Sequence, residues 1–208
     1  MGAVGFYGSR SLSPAVGGAL RPFVEAGFGI FTGCAVGADA SIVGACVGMG
    51  AANQLTIFAI FGPAGDGAWI WSNVKGVMLA EAAGARVVWY AGGPPRMRPG
   101  VRCRARSTAM VDAVAIAGTD KRAGIVGWVD SPSPPGSPGS WGTMRQAASM
   151  GLTVVCFPVG WTIFDATPLG PGKWTYAGGG VWSNAIKWVP FAPYGLYELE
   201  LAQPGGSL

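Results

Sequence analysis

The sequence predicts an α/β fold: a doubly wound, mainly parallel sheet of about six strands with helices on both faces, followed by a C-terminal β-hairpin extension. Three observations carry this. Short apolar runs alternate with Ala-rich stretches of helical length, the mark of a parallel sheet covered on both sides. Glycines 27, 84 and 151 fall where a helix must bend into the next strand. Half of the 208 residues are hydrophobic and 12% are charged, which excludes a disordered chain and supplies a sizeable core.

The elements follow in order. Apolar runs at residues 3–7, 28–32, 55–61, 86–90, 124–129 and 153–157 read as strands. Helices are predicted at residues 13–26, 38–50, 72–83, 103–117 and 143–150. Residues 131–140, SPSPPGSPGS, carry too much Pro, Gly and Ser for either element and read as a loop. Residues 1–160 thus form the main domain. The remainder, 161–208, is expected to be a β-rich extension packed on it. Its hairpin or meander signals are residues 173–176 and 181–182 around a glycine run, and the alternating 197–201 segment. No internal repeat is visible.

Gly (36) and Pro (16) are abundant but lack a three-residue period, so a collagen reading fails. There is no histidine, which removes Ser-His-Asp and Cys-His catalysis, mixed Cys/His zinc sites and imidazole proton transfer. Cys34, Cys46, Cys103 and Cys156 form no CxxC pair and sit in or beside apolar runs. They read as buried reduced thiols, and no metal site is assigned. The uncharged window between Asp39 and Asp66 is broken by Asn53, Gln54, Pro63 and several glycines, so no membrane span is expected. The N-terminus lacks the basic and apolar segments of a secretory signal, and Phe6 stands where a myristoylation motif takes Ser or Thr. A cytoplasmic location follows as the expectation.

In open α/β sheets ligands bind beyond the carboxyl ends of strands, where helix N-termini offer unpaired N–H groups to anions. Five loops are assigned there. Gly8-Ser9-Arg10-Ser11 combines close backbone approach, a hydroxyl and a guanidinium able to grip an anion. The stretch from Thr32 and Gly33 through Gly37 to Asp39 offers small residues and a carboxylate that either caps the next helix or binds a ribose hydroxyl. Arg96, Arg98, Arg102, Arg104 and Arg106 come without an intervening acid, and Arg102 and Arg106 share a helical face. Such a cluster is either a solvated face or the seat of an anionic partner; in so sparsely charged a chain we favour the partner. Ser140-Trp141-Gly142-Thr143 reads as an anion-binding turn opening a helix, or as a simple hydroxyl cap. Residues 62–71 carry Asp66, Trp69 and Trp71, whose indoles either pack or stack on a base.

GFYGSR, TGCAVGAD, RCRARSTAMVD and SWGTMRQAASMGLTVV, in this order over roughly residues 3–158, resemble the SLOG group of Rossmann-like proteins. That group includes the DNA-processing protein A family, the Lonely Guy phosphoribohydrolases, molybdenum-cofactor carriers and stand-alone nucleotide binders. The resemblance implies that Gly8, Ser9 and Arg10 border a pocket and that Gly33, Gly37 and Asp39 form its second wall. It further implies that Arg102 and Arg106 reach phosphates and that Gly142 and Thr143 close over them. The glutamate of the phosphoribohydrolase motif is replaced by Gln146, and a neutral amide stabilises an oxocarbenium-like state poorly. Arg104-Ala105-Arg106 replaces the RNR triplet common in the DNA-processing family.

The reading that follows is a stand-alone domain binding a nucleotide or related phosphorylated small molecule, as carrier or sensor. Its cofactor is none beyond such a bound nucleotide. Single-stranded DNA binding is the second reading, which a net charge of +4 permits. Nucleotide N-glycosidic bond hydrolysis, with Asp39 or Asp112 as its carboxylate, is the third. The resemblance and the nine tryptophans also lead us to expect a homo-oligomer, most simply a dimer.

Overall fold

A computed structural model describes residues 2–118, 122–134 and 138–191. Six parallel strands are β1 (Ala3–Gly8), β2 (Gly29–Thr32), β3 (Leu55–Phe58), β4 (Arg86–Val88), β5 (Ala123–Val129) and β6 (Thr153–Pro158). Five helices connect them: α1 (Gly17–Glu25), α2 (Ala38–Gly48), α3 (Val74–Ala82), α4 (Pro99–Ala117) and α5 (Pro138–Ser149). The hairpin strands β7 (Gly172–Tyr176) and β8 (Ile186–Pro190) complete an eight-stranded sheet of order β4-β3-β2-β1-β5-β6-β8-β7.

From β1 the chain steps outward through β2, β3 and β4, then returns past β1 to add β5 and β6. Right-handed crossovers moving in opposite directions place their helices on opposite faces. Accordingly α1, α2 and α3 cover one face and α4 and α5 the other. The pleat divides the core between the faces. Val4 and Phe6 of β1 join Leu20, Ile42 and Val77, whereas Ala3 and Tyr7 join Met110, Val114, Trp141 and Met144. Burial on both faces explains why β1 and β5 read as unbroken apolar runs.

Several sequence boundaries shift. Residues 59–61 are buried, yet they leave the ladder after Phe58, so β3 is shorter than its apolar run. Likewise β4 stops at Val88, and Tyr90 turns at positive φ (53°). The first helix begins at Gly17 rather than at residue 13, with Pro14 left outside it. The fifth helix begins at Pro138, five residues before its predicted start, so 138–140 are helical and not loop. Proline suits a first helical turn because its missing N–H would have no intrahelical acceptor there. Gly27, Gly84 and Gly151 do lie just past helix ends, before the next strand, and all three adopt positive φ: 69°, 105° and 76°.

The expected hairpin is present but is no separate layer. β8 pairs antiparallel with β6 at Val155 and Cys156 and so extends the main sheet, with β7 at its edge. Val181 and Trp182 lie in a 3-10 turn between the two strands, where Trp182 is fully buried against Phe23 and Phe157. The predicted 197–201 strand lies outside the described residues. Among the described residues, no helix is long and apolar enough to cross a membrane.

Candidate functional site

The direction of strand order reverses between β1 and β5, which stay paired through Gly8 and Trp128, so the chain leaves their carboxyl ends toward opposite faces of the sheet. A cleft of about 660 Å³ opens at this point, lined from β1, the loops after β1, β2 and β5, the Trp69–Ser72 segment, one face of α4 and the start of α5. This is the size of small-ligand sites, typically ~300–1,000 Å³.

The loop after β1 is fastened to the end of β5. Ser9 donates through Oγ to Asp130 Oδ1 at 2.7 Å, and the Asp130 N–H donates back to Ser9 Oγ at 3.2 Å. Ser11 Oγ donates to the other carboxylate oxygen of Asp130. Ser9 is thereby buried at the floor, and Arg10 projects beyond it. The Arg10 guanidinium lies 5.2 Å from the Trp69 ring centroid and 5.8 Å from that of Trp71. Both indoles line the cleft. Their segment is clipped to the loop after β2 by the Val36 N–H donating to Trp71 O at 2.8 Å and the Asn73 N–H donating to Cys34 O at 2.7 Å.

The second wall depends on what glycine omits. At Gly33 a Cβ would overlap Arg106 Nη1 and Asp39 Oδ2. Gly37 has φ of 84°, and a side chain there would strike the Arg10 backbone. These two close approaches let Arg106 of α4 reach across to Asp39 of α2 at 3.2 Å, with both side chains almost wholly buried. Asp39 does not cap its own helix. Its Oδ2 accepts from the Ala35 N–H at 3.2 Å and from Arg106. Burial pushes the Asp39 carboxyl above its ordinary range, against the pull of Arg106. Burial likewise raises the Cys34 thiol, and Arg106 again opposes it.

The structure brings together Gly8, Ser9, Arg10, Asp39, Arg106, Ser140, Gly142 and Thr143 in this lining. It does not bring four others there. Thr32 is buried and donates through Oγ1 to Phe6 O at 3.1 Å, tying β2 to β1. Gly33 and Gly37 stand behind the wall they make possible. Arg102 is 2% exposed, and its guanidinium donates to the carbonyls of Ile60, Gly67 (2.8 Å) and Pro95 (3.5 Å). It fastens the loop after β3 rather than facing the cleft, because one helical turn separates it from Arg106 along α4.

Gly142 and Thr143 are not the turn that opens α5. They sit in its second turn, and Thr143 Oγ1 donates to Gly139 O at 2.9 Å. The first-turn position belongs to Gly139 and Ser140, which also line the cleft. Gln146 lines it as well and donates through Nε2 to Asp112 Oδ1 at 2.9 Å.

Sequence reasoning missed Asp130. The signal was available: it is the first residue after β5, on the strand beside β1 where the order reverses. Arg104 was singled out only as part of the basic stretch; it is exposed on α4 and lines the cleft. Among the described residues, the guanidinium of neither Arg10 nor Arg104 donates a hydrogen bond or forms an ion pair. Comparisons with protein-family models, curated proteins and solved structures return no match.

Proposed function

We propose that this cleft binds a nucleotide or a related phosphorylated small molecule, as the SLOG-type motifs imply, and that the protein acts as a carrier or sensor of that ligand. One observation carries the reading: the side chains of Arg10 and Arg104 line a cleft at the reversal point of the sheet, and their guanidinium groups make no hydrogen bond or ion pair among the described residues. A guanidinium offers five donors in a planar fork that matches phosphate. The first turn of α5 adds backbone N–H groups and the positive end of a helix dipole. Arg106 contributes less to this function than its position suggests, because Asp39 already neutralises it.

Thermal-shift and calorimetric titrations with AMP, ADP, NAD and a short single-stranded oligonucleotide test the proposal. A mononucleotide or dinucleotide should raise Tm by saturable mass action. Replacing both Arg10 and Arg104 by Ala should weaken that binding by about tenfold to a hundredfold, given two charge-assisted contacts, with the fold intact. Preference for the oligonucleotide, with steep salt dependence, would favour the DNA reading. No binding by any of these compounds would overturn the proposal.

A further inference from the structure

Trp69 and Trp71 face the same cation, and their geometry has a consequence for how the cleft takes an anion. Cation–π contact sets a cation over the face of an aromatic ring and supplies no lone-pair acceptor of the carboxylate kind, so it does not saturate the N–H donors of a guanidinium. An ion pair would have consumed those donors. Contact with indole leaves them available while restricting the rotamers of a long, otherwise mobile side chain.

We propose that Trp69 and Trp71 are positioning residues that hold Arg10 as a preset anion clamp, so that the phosphate group of the ligand meets a guanidinium already oriented to receive it. This rests on the phosphate-ligand reading above and assigns a role within it. Three observations support it. The Arg10 guanidinium lies over both rings, at 5.2 and 5.8 Å. Arg10 donates no hydrogen bond among the described residues. The Trp-bearing segment is itself fixed, through Val36–Trp71 and Asn73–Cys34 backbone bonds and the Ala35–Ser72 bridge. A fixed pair of rings can hold a side chain in place, whereas a mobile pair would move with it.

Binding an anion does not require Arg10 to leave the indoles, because the rings hold the cation without using up its hydrogen-bond donors. The gain is entropic: ordering an arginine on binding has a cost, and here part of that cost is met in the free protein. Removing a ring should therefore weaken binding by about fivefold per ring, even for an anion with no surface to stack on.

Inorganic pyrophosphate is the probe, since it has no ring and any effect of an indole on it must pass through another group. Its affinity is measured calorimetrically for the wild type, Trp71→Leu, Trp71→Phe, Arg10→Ala and the Arg10→Ala/Trp71→Leu double variant, with Tm recorded for each. The expected pattern is weaker binding in Trp71→Leu, recovery in Trp71→Phe, and no further loss on adding Trp71→Leu to Arg10→Ala. Equal losses from Trp71→Leu with and without Arg10 would overturn the proposal. So would a wild type that binds nucleotides but not pyrophosphate, which leaves the nucleotide reading standing. Failure to bind either would remove both.

Discussion

Arg106 and Asp39 join α4 to α2 through a 3.2 Å contact inside the cleft wall, over a glycine whose missing side chain is the space they occupy. The pair bridges the two faces of the sheet at its carboxyl end, since α2 and α4 belong to opposite layers. Breaking one partner strands a buried charge, which typically costs ~3–5 kcal/mol, whereas removing both is far milder. Asp39→Asn should therefore lower stability strongly on its own and only weakly in an Arg106→Leu background. Chemical denaturation of the four species checks this. Additive losses would mean that the two side chains act independently.

Arg102 has a different task from its neighbour one turn away. Its Nη1 and Nη2 atoms donate to the carbonyls of buried Ile60, half-buried Gly67 and exposed Pro95, tying the loops after β3 and β4 to α4. Arg102→Ala should cost about 2–4 kcal/mol, the scale of losing several charge-assisted hydrogen bonds, one of them to a buried acceptor. Ligand affinity, measured well below the new Tm, should change little. A variant of normal Tm that no longer binds would return Arg102 to the phosphate site.

The contrast between these two arginines shows where sequence reading stops. Spacing puts Arg102 and Arg106 on one helical face, and both did turn inward. Which carbonyl or carboxylate each would meet depends on loops brought in from β2 and β3, which no local pattern encodes. The buried strands were legible because they are covered on both faces. Residues 59–61 show the limit, being as apolar as a strand but outside the ladder. The start of α5 was misplaced because proline and glycine signal loops, yet proline is also at home in a first helical turn. Asp130 was overlooked because one carboxylate in a Ser-Pro-rich stretch has no distinguishing spacing. Only the strand order shows that it lies beside Ser9.

The cysteines offer a chemical test of the cleft. Cys34 and Cys103 line it, whereas Cys46 and Cys156 are fully buried elsewhere in the core. Cys103 is the only one of the four that is partly exposed. A thiol reagent added to the native protein should modify Cys103 first and leave Cys46 and Cys156 untouched until unfolding. Bound nucleotide should slow the reaction at Cys103. Mass spectrometry of the labelled peptides reads out the order. Equal labelling with and without saturating ligand would place the ligand away from α4.

The same burial makes stability depend on alkaline pH. Burial raises the Cys46 thiol from 9.0 to about 12, and it pushes Cys156 and the Tyr7 phenol well above their ordinary values. In the unfolded chain these groups ionise at their ordinary pKa values, so on raising the pH the unfolded state loses its protons first. A group whose folded pKa lies above its unfolded value contributes stability in full below the unfolded value. That contribution is lost as pH climbs through the folded one. For Cys46 the window opens near pH 9.0 and closes near 12, with a slope of about 1.4 kcal/mol per pH unit. Urea midpoints should therefore be flat from pH 7 to 8.5 and fall steadily above 9. Cys46→Ala lacks one ionising group and should fall less steeply, even though its midpoint at neutral pH is lowered by the cavity. Parallel slopes for the variant and the wild type above pH 9 would show that this thiol does not carry its share of the alkaline loss.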